Sequence, residues 1–335
     1  MPEKNKKTDI NSVAKEAGVS ITTVSRVINK VPTVNKENRR KVEEAVKKLG
    51  YKPSLIAQSL ASGKRNTIAL VIPRYEGVFY SFYVMELLRG VGTLCDVLRL
   101  DLLLHLTDGK TGLNTQFAGG VIFSDVIGNS QQIKDVLAEN IPCIVINNYP
   151  EDLNVNCIAI DNAQGARLAV DYLIGLGHKK IAHITGDTVT QAARQRLEGY
   201  KKSLEKHKIE IKENYILGAN YSRASAREAA EKILTMDDRP TAIFAASDDM
   251  ALEVMAVFME NGLKIPKDIS IIGFDDDPKG LYGPVALTTI RQPLVKMAQD
   301  SVKAIDLLIK TNQSQVKKIK LPAELVIRES CRQIK

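Results

Sequence analysis

Residues 9–29, DINSVAKEAGVSITTVSRVIN, read as two short helices joined by a tight turn. Asp9 can cap the first, and Val13, Ala14 and Ala17 fall on one of its faces. Gly18 supplies the left-handed residue that ends it, Val19 plugs the turn, and Ser20 is a second N-cap. Val24, Val27 and Ile28 then form the inner stripe of the second helix, which leaves Ile21, Thr22, Ser25, Arg26 and Asn29 outside. That outer face is short, hydrogen-bonding and headed by one guanidinium. A unit this small cannot bury it in itself, whereas the major groove of B-DNA admits a helix of this width. The plainer alternative is two amphipathic helices of an ordinary α domain. Against it, the inner stripe is complete without any outer residue.

Working outward, residues 30–33 are a loop containing Pro32, and Asn35 caps a third helix. Val42, Ala45, Val46 and Leu49 give that helix an apolar stripe for the first two to pack on, and Gly50 follows its end. Arg39, Arg40 and Lys41 near its start are placed to meet backbone phosphate, or form a plain solvated face. Of the 47 Lys and Arg, 15 fall in residues 1–65 against 6 acidic residues, a net +9; the remainder holds 32 and 33, a net −1. The excess positive charge of a +8 chain thus sits on its first fifth, a footprint for phosphate unless a solvated basic tail accounts for it. Tyr51-Lys52-Pro53 breaks the third helix, and the capped segment 54–61 is too short to hold a helix alone, since helices under about 12 residues are marginal in water. By itself it is a linker.

From Thr67 the texture changes. Continuous apolar strands are predicted at 68–72, 101–105, 120–123, 143–146, 157–160, 180–184, 241–245 and 270–273, with helices between them such as 163–176 and 247–260. This pattern implies parallel sheets covered on both faces. At 335 residues, two or three domains are expected. The four cysteines show no CxxC spacing, and Cys143 and Cys157 lie in strand-like runs, so buried thiols in a reducing compartment are the favoured reading. The start lacks an apolar signal region and no run approaches 18 apolar residues, so no export signal and no membrane span are expected.

The blocks DINSVAKEAGVSITTVSRVIN, NKENRRKVEEAVKKLGYKPSLIAQSLASGK, DNAQGARLAVDYLIGLGHKKIAHITG, RPTAIFAASDDMALEV, ISIIGFDDDP and ALTTIRQP resemble the lactose-repressor/galactose-repressor (LacI/GalR) family of bacterial transcription factors. They span nearly the whole chain. The resemblance implies a small all-α helix-turn-helix DNA-binding headpiece at 1–50, a hinge helix at 51–65, and an α/β two-lobed domain with parallel sheets at 66–335, like the periplasmic binding proteins. It puts an N-lobe at 66–161 and 292–320 and a C-lobe at 162–291 and 321–335, with crossings near Asn162, Arg291 and Lys320. It also implies that the hinge folds on DNA when two copies pair, with Leu60 wedged into the minor groove beside Ala57. Major-groove and flanking contacts would come from Ser20, Ile21, Thr22, Thr23, Ser25, Arg26 and Asn29. Arg26 would read guanine, and Ile21 and Thr22 hold the positions that tune operator choice. One segment departs from the family: residues 107–119 have no room for the full helix expected there.

Enzymatic signatures are absent: no GxSxG, GxxxxGK[ST] or HExxH appears. His178 sits at a helix end, where a role on the helix dipole suffices. Asp275-Asp276-Asp277 follow the strand ISIIGF at its carboxyl end, where open α/β sheets bind ligands; a cation site and a solvated acidic loop are the alternatives. The resemblance makes Asp275 an acceptor for ligand hydroxyls or amines and Arg196 a donor to ligand oxygen. It further implies effector contacts from Asp161, from Ser247, and from Phe79 and Tyr221 as stacking rings, though either aromatic alone reads more often as core than as site. The expected partners are a near-palindromic double-stranded operator, a second copy of the chain, and a small effector. A sugar or sugar phosphate is the first expectation and a nucleobase the second, with no cofactor and no metal. The expected setting is the cytoplasm, at the nucleoid. A solute-binding module and a sugar-processing enzyme are the rival readings; the basic head opposes the first and the missing base–nucleophile pair the second.

Overall fold

Caps and apolar spacing dictate the first three helices of the computed structural model, which describes residues 9–29, 31–51, 66–75, 77–126, 128–150, 152–311 and 316–334. The hinge positions Ala57 and Leu60 lie outside the described residues. The chain divides into two compact units between Asn66 and Thr67.

In the first unit, α1 (Ile10–Ala17), α2 (Ile21–Ile28) and α3 (Lys36–Leu49) are each capped by a side-chain oxygen. Asp9 accepts from the Ser12 N–H at 2.8 Å, Ser20 from Thr23 at 3.1 Å and Asn35 from Asn38 at 2.8 Å. Gly18 and Gly50 end α1 and α3 with φ of 65° and 59°, which residues with a Cβ adopt only with strain. Val13, Ala14, Ala17, Val24, Val27, Val42 and Ala45 form the core, with Val19 and Ile28 packed against it. Burying one such valine is worth about 1.5–3 kcal/mol, enough to hold a domain this small only when every stripe position contributes. Arg39 does not face outward to meet phosphate: it donates to the Val31 carbonyl at 3.0 Å and ties down the α2–α3 loop. Arg40 and Lys41 pair along the helix with Glu44 and Glu37, so the solvated-face reading holds for them.

The second unit holds two parallel sheets. β1 (Thr67–Pro73), β2 (Asp101–Thr107), β3 (Gly120–Phe123), β4 (Cys143–Ile146), β5 (Asn156–Ile160) and β11 (Lys318–Leu321) build the N-lobe sheet in the order β11-β5-β4-β3-β1-β2. β6 (Ile181–Thr185), β7 (Ile216–Gly218), β8 (Ala242–Ala245) and β9 (Ser270–Ile272) build the C-lobe sheet in the order β7-β6-β8-β9. β10 (Thr289–Arg291) and β12 (Glu324–Val326) pair antiparallel between the lobes' return segments. Strands buried on both faces explain the unbroken apolar runs. The short strand β7 was not expected from the sequence, because ILG carries too few residues to show a period.

Helices cover the sheets: α4 (Phe82–Leu98) and α5 (Ser130–Ala138) in the N-lobe, α6 (Asn162–Gly175), α7 (Gln191–Lys206), α8 (Arg223–Leu234) and α9 (Asp248–Glu260) in the C-lobe, and α10 (Leu294–Thr311) back against α4. Gly90 permits the α4–α10 approach, since a Cβ there would lie 2.6 Å from that of Ala298. Residues 108–119 contain no helix. A buried amide staples them instead: Gln132 on α5 donates to Thr107 Oγ1 at 2.8 Å and to the Thr111 carbonyl at 2.5 Å. Without a helix there, Leu103 on the edge strand β2 is left 39 % exposed. His178 is more than a dipole partner. It is buried, with Nδ1 2.9 Å from Thr241 Oγ1 and Nε2 3.0 Å from Ser270 Oγ, and it fixes the C-terminal return through the Arg332 carbonyl.

Candidate functional site

Two surfaces carry the sequence-predicted residues. On the headpiece, the outer face of α2 exposes Ser20, Ile21, Thr22 and Arg26, with Ile21 47 % exposed. Thr23, Ser25 and Asn29 are half-buried and satisfied locally: Thr23 Oγ1 lies 2.9 Å from Ser20 Oγ, and Asn29 Nδ2 donates to Ser25 Oγ at 3.4 Å.

The second surface lies in the unit 67–335, where strand carboxyl ends deliver polar residues from both sheets. Arg196 on α7 is 3 % exposed and fixed on three sides. Its Nε donates to Asn162 Oδ1 at 2.9 Å, its Nη1 to the Ala246 carbonyl at 2.5 Å, and its guanidinium lies 3.6 Å over the Phe274 ring. Asp275 sits at φ 136°, a conformation a non-glycine residue holds only under restraint. The restraint is a backbone bond to the Ile290 carbonyl at 2.7 Å and a side-chain bond from Gln292 Nε2 at 2.5 Å. Burial pushes the Asp275 carboxyl up to about 7, although Arg196 and Gln292 pull it down. Tyr221 stands against Gly186, where a Cβ would meet the ring at 2.0 Å, and its phenol responds to Arg196 and Asp275 together.

The run Asp275–Asp277 is neither a solvated loop nor an assembled cation site. Asp276 pairs with Arg291 at 2.6 Å and with Arg328, and Asp277 accepts from the Lys279 N–H at 2.9 Å. Among the described residues no cluster of His, Cys, Asp and Glu is arranged to hold a metal. Three expected effector contacts also have local structural roles or stand exposed. The Asp161 carboxylate caps α6 through Gln164 N–H at 2.8 Å, and Ser247 Oγ caps α9 through Met250 N–H at 3.3 Å, which leaves the second Asp161 oxygen and the Ser247 proton uncommitted to these caps. Phe79 lies in the single turn Val78–Tyr80 and is 49 % exposed.

Other residues come forward that the sequence reading missed. Asp248 is fully buried beneath the Asp275 loop and accepts from Thr289 Oγ1 at 2.5 Å and from the Asp277 N–H at 2.8 Å. Burial and the Asp275 charge push it well above the ordinary carboxylate range. From the N-lobe, Tyr83 donates to the Ser124 carbonyl at 2.6 Å, and Asp125 accepts from Asn148 Nδ2 at 3.3 Å. Burial raises the phenols of Tyr83 and Tyr221, and the Asp125 charge acts in the same direction on both. The signal was available for Asp125: it follows β3 as Asp275 follows β9. Gln191 at the start of α7 clasps the opposite wall, accepting from the Tyr149 N–H at 2.7 Å and donating to the Tyr149 carbonyl at 3.1 Å. Two hollows of about 290 and 310 Å³ lie elsewhere on the C-lobe and include none of these residues.

Comparison with known proteins accords with this division. Residues 9–54 match the model of bacterial regulatory proteins of the lacI family, and residues 170–331 that of the periplasmic binding protein-like domain. The chain is 30 % identical to catabolite control protein A of Priestia megaterium, over 96 % of this chain and 98 % of that one. It is 33 % identical to the HTH-type transcriptional regulator DegA of Bacillus subtilis (strain 168), over 97 % and 98 %. Among solved structures, the lac repressor dimer bound to operator and the anti-inducer ONPF has 28 % identity and a TM-score of 0.84, over 98 % of this chain and 100 % of that one. The transcriptional regulator CelR–cellobiose complex has 26 % identity and a TM-score of 0.72, over 96 % and 99 %. No helix among the described residues is long and apolar enough to cross a membrane. The chain belongs to the lacI family of bacterial regulatory proteins: it is a DNA-binding, ligand-regulated transcriptional repressor.

Proposed function

We propose that the chain acts as a cytoplasmic homodimer that places two copies of α2 in successive major grooves of a near-palindromic operator and releases or grips it according to a small polyhydroxylated effector, a sugar, bound between the lobes. The observation that carries the DNA reading is the α2 face itself, where Ile21, Thr22 and Arg26 stand exposed after the headpiece core is complete. Arg26 is the reader of guanine, Ile21 supplies an apolar contact for a thymine methyl, and Ser20, Thr22, Thr23, Ser25 and Asn29 fix the helix against the backbone and base edges. Leu60 is assigned the minor-groove wedge, with Ala57 beside it, from the family resemblance. Two-fold symmetry of the protein requires matching symmetry in the operator.

Effector control requires that the ligand bind two lobe arrangements with different affinity, since equal affinity shifts nothing. The cleft suits this, because Arg196 and Asp275 belong to one lobe, Tyr83 and Asp125 to the other, and Gln292 to the crossing beside them. A nucleobase is the second reading, favoured by the tyrosine faces of Tyr83 and Tyr221. Gel-shift selection from random duplexes tests the DNA half. Salt-sensitive, sequence-selective binding to a near-palindrome that collapses in Arg26→Ala is expected, and no selective binding at any salt concentration refutes it.

A further inference from the structure

One carboxylate holds two of the crossings by which the chain passes between the lobes. The second crossing runs from β10, ending at Arg291, to α10, which starts at Leu294 and packs on α4 of the N-lobe. The third runs from β11 of the N-lobe sheet, ending at Leu321, to β12, starting at Glu324. β10 and β12 join these crossings through the pairs Thr289 with Val326, Ile290 with Leu325 and Arg291 with Glu324. A two-stranded ribbon this short is marginal in water by itself, so its place depends on what holds it from the side.

Asp276 supplies that hold. Its Oδ2 accepts from Arg291 Nε at 2.6 Å, and its Oδ1 accepts from Nη2 of Arg328, which follows the end of β12. Guanidiniums from both strands thus share one carboxylate. The Asp276 and Arg328 side chains are only 14 % and 15 % exposed, so salt screens this pair far less than a surface pair. Arg328 is anchored in turn, its Nη1 donating to the Leu287 carbonyl at 2.7 Å, and Asp276 is its only carboxylate partner among the described residues. The residue before Asp276 binds the same crossing: Gln292 donates to Asp275 at 2.5 Å. Two successive carboxylates therefore hold two successive residues, Arg291 and Gln292, at the cost of left-handed φ angles of 136° and 63°. A shift of the 275–276 loop must carry the second crossing with it, and through Arg328 the third.

We propose that Asp276 is the ionic pin of the hinge, a positioning residue that fixes both crossings to the loop bearing Asp275 and so sets the angle between the lobes. Its consequence for DNA rests on the reading above, in which lobe arrangement governs operator binding. Asp276→Asn isolates the charge: asparagine tolerates the left-handed backbone and keeps an acceptor oxygen, but leaves the buried Arg328 without a counter-ion. With the pin loosened the lobes open without ligand, and the Gln191–Tyr149 clasp, which shares no bond with Asp276, opens as well.

Hydrogen exchange of the full chain, read by mass spectrometry, tests this in Asp276→Asn and in Arg291→Gln, which removes the more exposed partner. Exchange at 287–292 and 324–328 should quicken. Exchange at the clasp, residues 147–150 and 187–192, should quicken at least threefold in Asp276→Asn and less in Arg291→Gln, with β6 and β8 unchanged. Faster exchange confined to 287–292 and 324–328 makes Asp276 a local tie and overturns the proposal, as does no change in either variant. Equal quickening in β6 and β8 is a general loss of stability and also overturns it. Should Asp276→Asn fail to fold, Arg291→Gln decides by the same outcomes. Affinity for a duplex selected by gel shift, measured alongside, should change at least threefold in Asp276→Asn. An opened clasp with unchanged affinity leaves the pin standing and overturns the reading that lobe arrangement governs operator binding.

Discussion

Asp275 keeps its proton at a pH where a solvated aspartate has lost it, because the surrounding protein has removed the water that would hydrate the charge. The folded chain therefore binds this proton more tightly than the unfolded one. The stabilisation it contributes is complete below the ordinary value of 3.8 and is lost as pH rises through about 7. Arg196 and Gln292 act in favour of the carboxylate, while Asp249 and Asp277 act against it. The melting temperature of Asp275→Asn relative to the unaltered chain is accordingly expected to rise between pH 5 and pH 8; a constant difference would remove the proton from the account. Affinity for a hydroxyl- or amine-bearing effector should increase over the same range, read by titration at each pH. Beneath it, Thr289→Val removes the hydroxyl donor to Asp248 with little change of shape. Because a buried carboxyl group is left short of a partner, a loss of about 1–3 kcal/mol is expected in denaturant unfolding of the 67–335 unit.

At the scale of the element, the N-caps carry the local argument. Ser20 holds the first turn of α2 through the Thr23 N–H, so Ser20→Ala should cost the headpiece about 1 kcal/mol and speed amide exchange at Ile21, Thr22 and Thr23. Operator affinity should fall with it, since a frayed first turn no longer presents Ile21 and Thr22. The same capping chemistry bears on the effector assignment. Asp161 and Ser247 stand at strand carboxyl ends, as ligand contacts do, and each side chain also caps a helix. Strand ends and helix starts coincide in a parallel α/β fold, so sequence position alone does not separate a cap from a contact. The helix-free segment 108–119 was legible because a helix needs residues that are not there. Its anchoring by Gln132, from a helix further along the chain, was not.

Over the whole molecule, the lobes of the 67–335 unit meet through Gln191 and Tyr149, a two-bond clasp between side-chain amide and backbone. Gln191→Ala breaks both bonds while leaving the Thr190 cap of α7 intact. Amide exchange around residues 147–150 and 187–192 should then quicken, and small-angle scattering of the effector-free protein should shift toward a more open domain. Unchanged exchange at both places would show that the clasp does not restrain the lobes. Operator binding should also become less responsive to effector, because one of the two arrangements has lost a contact that distinguished it.

The sequence by itself determined the three-helix headpiece, the order of strands and helices, and the polarity of the α2 face, since periodicity, capping residues and charge act over a few positions. It also singled out Arg196 and Asp275 as candidates, through blocks of residues similar to a known family. Only the tertiary structure decided the rest. Asp248 and Gln292 bond to the Asp275 loop, and the Asp161 and Ser247 side chains cap helices. The reason is physical: which acceptor remains unpaired depends on partners distant in sequence, and those distances are set only when two sheets bring their carboxyl ends together.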